Sequence, residues 1–99
     1  MALMEISVVP VGTETESFSN DIQQALSIIE QNGLDYQVTP TSTVVKGDVN
    51  KLFDVAQVIH LNEIEKSAKR VVTSIKIDDR TDKDMTLDGQ RARVSKSER

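Results

Sequence analysis

Cysteine and tryptophan are absent from this chain of 99 residues, and histidine occurs once, at His60. The lack of cysteine excludes disulfides, thiolate catalysis and cysteine-ligated zinc sites. No apolar run approaches the ~20 residues that a membrane helix needs, and the N-terminus lacks the pattern of a signal peptide. The sequence therefore predicts a cytoplasmic protein with no membrane partner, no metal site and no cofactor.

Aromatic residues are scarce, at 3% of the chain. The hydrophobic content of 37% comes mainly from Val, Ile, Leu and Met, so the expected core is aliphatic. A chain of this length predicts a single domain, residues 1–99, that buries ~65% of its unfolded surface.

Basic residues are few in the first two-thirds of the chain. Residues 1–65 carry two basic and ten acidic side chains, whereas residues 66–99 carry ten basic and six acidic ones. An acidic body repels phosphate, so no nucleic-acid partner is predicted. The segregated charge leaves two interpretations open: self-association through opposite patches, or an ordinary solvated surface.

Apolar residues alternate in four stretches and follow a helical period in two, which gives the order β-α-β-β-α-β. The expected strands are 3–11, 35–39, 42–46 and 70–78. Ser17 and Asp48 are the predicted N-caps of the two helices, and Gly33 is the predicted stop of the first. The fold class is α+β: a split βαββαβ arrangement, with a four-stranded antiparallel sheet and two helices on one face. Residues 85–99 are expected to form a short, partly ordered C-terminal extension.

Two apolar surfaces follow from this arrangement. The second helix is expected to bury one stripe, formed by Val49, Leu52, Phe53, Ala56 and Ile59, which Val55 and Val58 widen. The sheet face without helices would expose a second set in a monomer, namely Leu3, Val9, Val11 and Val72. Because an exposed apolar patch usually marks an interface, we expect a homo-oligomer, either a homodimer or a homotetramer.

Few residues offer chemistry. The chain has no second histidine and no cysteine to act with His60, so a packing or surface role is expected for it. The sequence also shows no pairing of a general base with a nucleophile, so we expect that the protein is not an enzyme. The hydroxyl cluster Thr39, Thr41, Ser42 and Thr43 has two interpretations, a hydrogen-bonding ligand site or ordinary turn chemistry. RNA-binding domains of the same strand order stack bases on aromatic side chains of the central strands, and none is present there.

Three segments are similar to a known family. They read Glu5-Ile-Ser-Val-Val-Pro-Val-Gly-Thr13, Tyr36-Gln-Val-Thr-Pro-Thr-Ser-Thr-Val-Val-Lys-Gly47 and Arg70-Val-Val-Thr-Ser-Ile-Lys-Ile-Asp-Asp-Arg-Thr-Asp-Lys83. Through them the chain resembles, over roughly residues 4–83, the small thiamine-binding proteins of the YkoF-like, ferredoxin-like group. The resemblance implies a ferredoxin-like subunit that assembles as a dimer of dimers through sheet edges and faces. It also implies binding of thiamine or its aminopyrimidine part without catalysis.

Two positions depart from the family pattern. Thr41-Ser42 stand where the family has Met-Gly, and Lys46 stands where it has Glu. If that Glu helps to hold a cationic thiazolium, Lys46 opposes the same ligand.

With that resemblance, the ligand is expected at the end of the central hairpin, beside Glu5, Ser7, Thr39 and Thr43. Hydroxyls on short strands can orient an aminopyrimidine, and Glu5 would accept a hydrogen bond from an amine or a protonated ring nitrogen. The first and third strands are neighbours in such a sheet, so these groups are expected to converge. Whether Thr43 shares a face with Glu5 depends on a strand register that stays open at this point. The alternative function is an oligomeric structural or regulatory subunit that binds another protein and no small ligand.

Overall fold

The computed structural model describes residues 1–12, 18–66, 69–82 and 87, with side chains of the first helix described from residue 22. Within these ranges the elements are β1 (Ala2–Val11), α1 (Phe18–Gln31), β2 (Asp35–Val38), β3 (Thr43–Gly47), α2 (Val49–Glu65) and β4 (Arg70–Asp79). The predicted order and α+β fold class are confirmed, with observed boundaries within one or two residues of the expected strands. No helix in the described ranges is long and apolar enough to cross a membrane.

The four strands form one antiparallel sheet in the order β2-β3-β1-β4. β1 pairs with β4 along its whole length, from Ala2 opposite Asp79 to Val11 opposite Arg70. β3 is shorter than β1 and pairs only with residues 2–6 of it, because its first residue, Thr43, lies opposite Ile6. The last five residues of β1 therefore pair with β4 alone and form a two-stranded ribbon, residues 7–11 with 70–74.

The core lies between one face of the sheet and the two helices. Side chains of a strand alternate between faces, so Ala2, Met4 and Ile6 of β1 point to the helices. They pack with Val45 of β3 and with one side of each helix, at Ile29, Leu52, Val55, Ala56 and Ile59. This aliphatic core is the one that the composition indicates, and it places both helices on the same face of the sheet.

Two helix ends are fixed by local hydrogen bonds. Gly33 has φ +69°, a conformation that favours glycine. Its N–H donates to the Glu30 carbonyl at 3.0 Å, and the Leu34 N–H donates to the Ile29 carbonyl at 3.3 Å, which is the Schellman pattern. At the start of α2, Asp48 accepts a hydrogen bond from the Asn50 N–H at 3.2 Å. The predicted stop and the second predicted cap are confirmed, whereas Ser17 lies outside the described residues.

The prediction of which α2 residues form the buried stripe is partly wrong. Phe53 is 56% exposed and Val58 is also exposed, whereas Val55 is buried with Leu52, Ala56 and Ile59. Phe53 lies about 100° around the helix from Leu52, which turns it out of the contact with the sheet. The buried stripe extends instead toward the C-terminal end of α2, where it includes Glu63.

The sheet face without helices is called here the open face. Val9, Val11 and Val72 are exposed on it, at the ribbon, as expected. Leu3 is an exception to the expectation, because it is only 2% exposed and packs with Val44 and Leu87. Apart from Leu87, the predicted C-terminal extension lies outside the described residues.

Candidate functional site

A pocket of about 140 Å³ opens at the end of the β2–β3 hairpin, on the helix side of the sheet. We call it the hairpin pocket. Its apolar wall comes from β1 and the two helices, with Ile6, Val8, Ile22, Ala25, Ile29 and Ile59. Its polar rim comes from the hairpin and the end of α2, with Thr39, Thr41, Ser42, Thr43, Asn62 and Glu63. An apolar wall with a few convergent polar groups is the usual construction of a small-molecule site.

The Thr39 hydroxyl holds the hairpin turn together. It donates to the Ser42 carbonyl at 3.0 Å and accepts from the Ser42 N–H at 3.0 Å. The two side-chain hydroxyls of Thr39 and Ser42 are 3.1 Å apart, and the Thr39 N–H also donates to the Ser42 carbonyl at 2.8 Å. A hydroxyl with this many partners fixes the backbone, as in an ST turn. The geometry therefore supports the ordinary turn interpretation for Thr39. Thr39 contributes to the pocket by holding the shape of its rim.

Thr43 differs from Thr39 in its surroundings. Its pairing with Ile6 places it on the helix side of the sheet, where it lines the pocket. Among residues 1–12, 18–66, 69–82 and 87, the structure records no hydrogen bond to the Thr43 hydroxyl. A half-buried hydroxyl of this kind can donate to or accept from a ligand without losing a bond that the fold needs.

The last turn of α2 supplies two further polar side chains. The Asn62 side-chain N–H donates to Gln24 Oε1 on α1 at 2.9 Å, which orients the amide and joins the two helices. The side-chain oxygen of Asn62, Oδ1, can still accept a hydrogen bond, and Asn62 is among the residues that line the pocket. The neighbouring Glu63 is 5% exposed, and its Oε1 lies 3.8 Å from the Lys66 ammonium. The sequence interpretation missed both residues, although a carboxylate four residues after Ile59, on the apolar stripe, was a readable signal.

The structure does not bring all four residues predicted for the site together, because Glu5 lies away from the pocket. Glu5 lies opposite Val44 and Lys76 on the open face, whereas Thr43 lies opposite Ile6 on the helix face. Adjacent residues of a strand point to opposite faces, so one site cannot use both side chains. Thr39, Thr43 and Ser7 border the hairpin pocket, and Ser7 does so where β3 no longer covers the edge of β1.

The two departures from the family pattern, Thr41-Ser42 and Lys46, lie on different sides of the sheet. Thr41 and Ser42 line the pocket rim. Lys46 lies opposite Leu3 and Asp35, so it belongs to the open face. The repulsion that Lys46 was expected to exert on a cationic ligand therefore does not apply at close range in the hairpin pocket.

Two other polar side chains have roles away from the pocket. His60 Nδ1 lies 2.7 Å from Thr73 Oγ1, a hydrogen bond that ties α2 to β4. The Tyr36 hydroxyl donates to Glu30 Oε2 at 2.7 Å. That hydrogen bond to a carboxylate raises the pKa of Tyr36 above its usual value of 10.0, and the nearby negative charge acts in the same direction.

Comparison with known families gives a match over nearly the whole chain. A family model described as "Thiamine-binding protein" matches residues 4–95. The UPF0045 protein YqgV of Bacillus subtilis is 40% identical over 100 aligned positions, which cover 97% of this chain and 96% of that protein. A UPF0045 protein of Staphylococcus xylosus is also 40% identical, over 97% of this chain and 94% of its own length.

Solved structures agree with the fold. The hypothetical protein MJ1052 of Methanocaldococcus jannaschii superposes with a TM-score of 0.82 at 26% identity, over 95% of both chains. A Thermotoga maritima protein, assigned provisionally to thiamine biosynthesis or salvage, superposes with a TM-score of 0.76 at 26% identity. That match covers 94% of this chain and 97% of the other. The split βαββαβ subunit is therefore shared along the full length.

Proposed function

The chain belongs to the thiamine-binding protein family, and we propose that it binds thiamine, or the aminopyrimidine part of thiamine, in the hairpin pocket without catalysing a reaction. The observation that carries the proposal is the pocket itself, a largely apolar cavity with hydroxyl and amide groups on one rim. In it, polar side chains border a volume suited to an organic ring.

The size of the pocket favours one ring rather than a whole drug-sized molecule. An apolar cavity of about 150 Å³ in another protein accommodates a single benzene ring. The hairpin pocket has a similar volume, about 140 Å³, and is open on one side. We therefore place the aminopyrimidine ring against the apolar wall of the pocket, with the remainder of thiamine extending outward through the mouth.

The polar rim matches the edge of an aminopyrimidine. That ring presents N–H donors on its exocyclic amine and acceptors on its ring nitrogens. The Thr43 hydroxyl can serve either role, and the Asn62 carbonyl oxygen can accept from the amine. Each net hydrogen bond of this kind contributes about 0.5–1.5 kcal/mol.

Binding without catalysis is supported by the chemistry of the rim. Five of the six rim side chains are hydroxyls or an amide, which hold a ligand but do not by themselves move protons at neutral pH. The sixth is the carboxylate of Glu63, which lies 3.8 Å from the Lys66 ammonium. The single histidine, His60, is engaged with Thr73 and is not among the residues that line the pocket. Incubation with thiamine, followed by mass analysis of the ligand, tests this part: a steady conversion into any product contradicts it.

Isothermal titration with thiamine tests the site. Thr43→Val keeps the shape of the side chain and removes its hydroxyl, so we expect binding to weaken by about 1–2 kcal/mol. Ala25→Phe fills the pocket from α1 and should abolish binding. The matched control is Ser74→Ala, which removes a hydroxyl from an exposed position of the open face. If the wild type binds and both pocket variants match it, the ligand lies elsewhere, and Glu5→Gln then tests the open face.

The open face supports a further part of the proposal, self-association into a homodimer or homotetramer. A two-stranded ribbon is marginally stable alone, and this one exposes Val9, Val11 and Val72 side by side. The same face carries both signs of charge, with Glu5 opposite Lys76 in the strand register, so a second copy can present opposite charges to it.

Light scattering during size-exclusion chromatography tests the assembly at micromolar concentration. Val72→Asp places a charge in the exposed valine group and should shift the mass to that of the 11.0 kDa monomer. Val58→Asp is the matched control, because Val58 is similarly exposed but lies on α2. A wild-type monomer, or an equal effect of both substitutions, contradicts assembly through the open face.

The open face also favours one alternative function, an oligomeric structural or regulatory subunit that binds another protein and no small ligand. An exposed valine group serves a protein partner as well as a second copy. Recovery of one stoichiometric partner, together with the absence of any heat on titration with thiamine, would favour this alternative over the ligand-binding proposal.

A further inference from the structure

A contact between the two helices controls one polar group of the hairpin pocket. Asn62 of α2 lines the pocket, whereas Gln24 of α1 is not among the residues that line it. The half-buried Asn62 side chain donates through Nδ2 to Gln24 Oε1 at 2.9 Å. A residue outside the lining therefore holds a residue of the lining, and it does so across 38 positions of the chain.

The direction of this hydrogen bond determines what Asn62 offers to a ligand. Among residues 1–12, 18–66, 69–82 and 87, the Asn62 side chain makes no other hydrogen bond. Its Oδ1 and the second N–H of Nδ2 are therefore left for a molecule in the pocket. If the amide turned over, Oδ1 would face Gln24 Oε1, and two acceptors form no hydrogen bond. The Asn62 amide can thus reverse only by losing this bond or by turning together with Gln24.

An aminopyrimidine has a donor beside an acceptor on one edge, namely the exocyclic amine and the adjacent ring nitrogen. The Asn62 amide complements that edge, because Oδ1 can accept from the amine while the remaining N–H donates to the ring nitrogen, as amides do with adenine. An oxo group in place of the amine exchanges the donor and the acceptor. Acceptor then meets acceptor and donor meets donor, which leaves polar groups unpaired.

We propose that Gln24 is a positioning residue: by holding the Asn62 amide, it makes the hairpin pocket select an aminopyrimidine over an oxopyrimidine of the same shape. The selection uses the pattern of donors and acceptors on an uncharged ring, so it needs no charge on the ligand. This inference rests on the proposed binding site and deepens it, because it names the exocyclic group that the site requires and the residue that sets the requirement.

Calorimetric titration with thiamine and with oxythiamine, which has an oxo group in place of the amine, measures this selectivity. We expect the wild type to prefer thiamine by ~10-fold or more. Gln24→Met keeps the length of the side chain but cannot hold the amide, so the preference should shrink to within about 3-fold. Gln24→Glu can only accept, as Gln24 Oε1 does, so it should keep the wild-type preference or raise it.

The ratio of the two affinities separates a positioning role of Gln24 from a packing role. Loss of the bond between the helices lowers the stability of Gln24→Met, but a looser fold weakens both ligands and leaves their ratio unchanged. Gln23→Met is the matched control, because Gln23 is exposed on α1 and does not line the pocket. An unchanged ratio in Gln24→Met, loss of the preference in Gln24→Glu, or a wild-type preference for oxythiamine overturns the inference.

Two single rings keep this result distinct from the thiamine assignment. 4-Aminopyrimidine and 4-pyrimidone differ only in the exocyclic group and the proton on the ring. Amide chemical shifts of Thr43 and Asn62 should respond to 4-aminopyrimidine at the lower concentration in the wild type, and to both rings equally in Gln24→Met. If thiamine fails to bind and this pattern holds, the thiamine assignment is wrong and the role of Gln24 stands. Equal responses to the two rings in the wild type, or no response to either, overturn the inference.

Discussion

Replacement of Thr39 by valine isolates the contribution of the hairpin turn to the pocket. Valine keeps the β-branched shape and removes the hydroxyl that bonds the Ser42 N–H and the Ser42 carbonyl, each at 3.0 Å. Two hydrogen bonds at a net 0.5–1.5 kcal/mol each would cost about 1–3 kcal/mol. Ser42 is half-buried, so water restores part of the loss, and we expect about 1.5 kcal/mol.

Thermal unfolding followed by circular dichroism measures this cost. For a domain of this size, 1.5 kcal/mol corresponds to a fall in Tm of roughly 6–12 °C. Thr41→Val is the matched control, because Thr41 is an exposed neighbour whose backbone N–H, at 3.4 Å, makes only a weak contact with Thr39 Oγ1. A Tm of Thr39→Val within 2 °C of the wild type, or an equal fall in Thr41→Val, would refute the reasoning.

The same substitution separates the shape of the rim from direct contact with the ligand. Thr39 is saturated by the turn, so its loss should weaken thiamine binding only by loosening the rim, roughly 2- to 10-fold. Thr43→Val should instead leave the Tm nearly unchanged and weaken binding directly. The two substitutions should therefore give different patterns: Thr39→Val lowers the Tm and weakens binding indirectly, whereas Thr43→Val weakens binding with little change in Tm.

Two predictions concern other parts of the fold. Tyr36 is the sole tyrosine and there is no tryptophan, so absorbance at high pH should give a Tyr36 pKa above 10.0 that falls toward 10.0 in Glu30→Ala. Because the folded-state pKa is the raised one, this contribution to stability is present below pH ~10 and is lost as pH rises through the folded pKa. Asp48→Ala removes the cap on the Asn50 N–H and should lower the free energy of unfolding by about 1 kcal/mol in urea, whereas Asp54→Ala, at an exposed position of α2, should not.

The element order could be read from the sequence because its signals are local. Gly33 ends α1 through its own positive φ, and Asp48 caps α2 through its own carboxylate, so neither depends on distant residues. The apolar periods of β1 and α1 report which side of each element is buried. These features also determine that two helices share one sheet face, since the order β-α-β-β-α-β has few compact solutions.

The composition of the site could not be read in the same way. Glu5 and Thr43 were expected to converge, but the pairing of Thr43 with Ile6 places them on opposite faces, and a shift of one residue would have reversed that outcome. Val44 and Val45 of β3 are adjacent and both buried, so the apolar pattern of this strand does not show which face Thr43 shares. Glu63 required a different inference: a charge on an apolar stripe conflicts with the pattern, and such conflicts tend to occur at functional sites.

β1 connects the two proposed surfaces. Its even residues, such as Ile6 and Val8, form a wall of the hairpin pocket, and its odd residues, such as Val9, belong to the open face. From Ser7 onward the strand has a neighbour on one side only, so the order of this segment depends on what covers it. A second copy on the open face and a ring in the pocket would both favour the same ordered ribbon. Binding and assembly should then strengthen each other reciprocally, by thermodynamic linkage. Saturating thiamine should lower the dissociation constant of the oligomer in sedimentation experiments, and an unchanged constant would show that the two faces of β1 act independently.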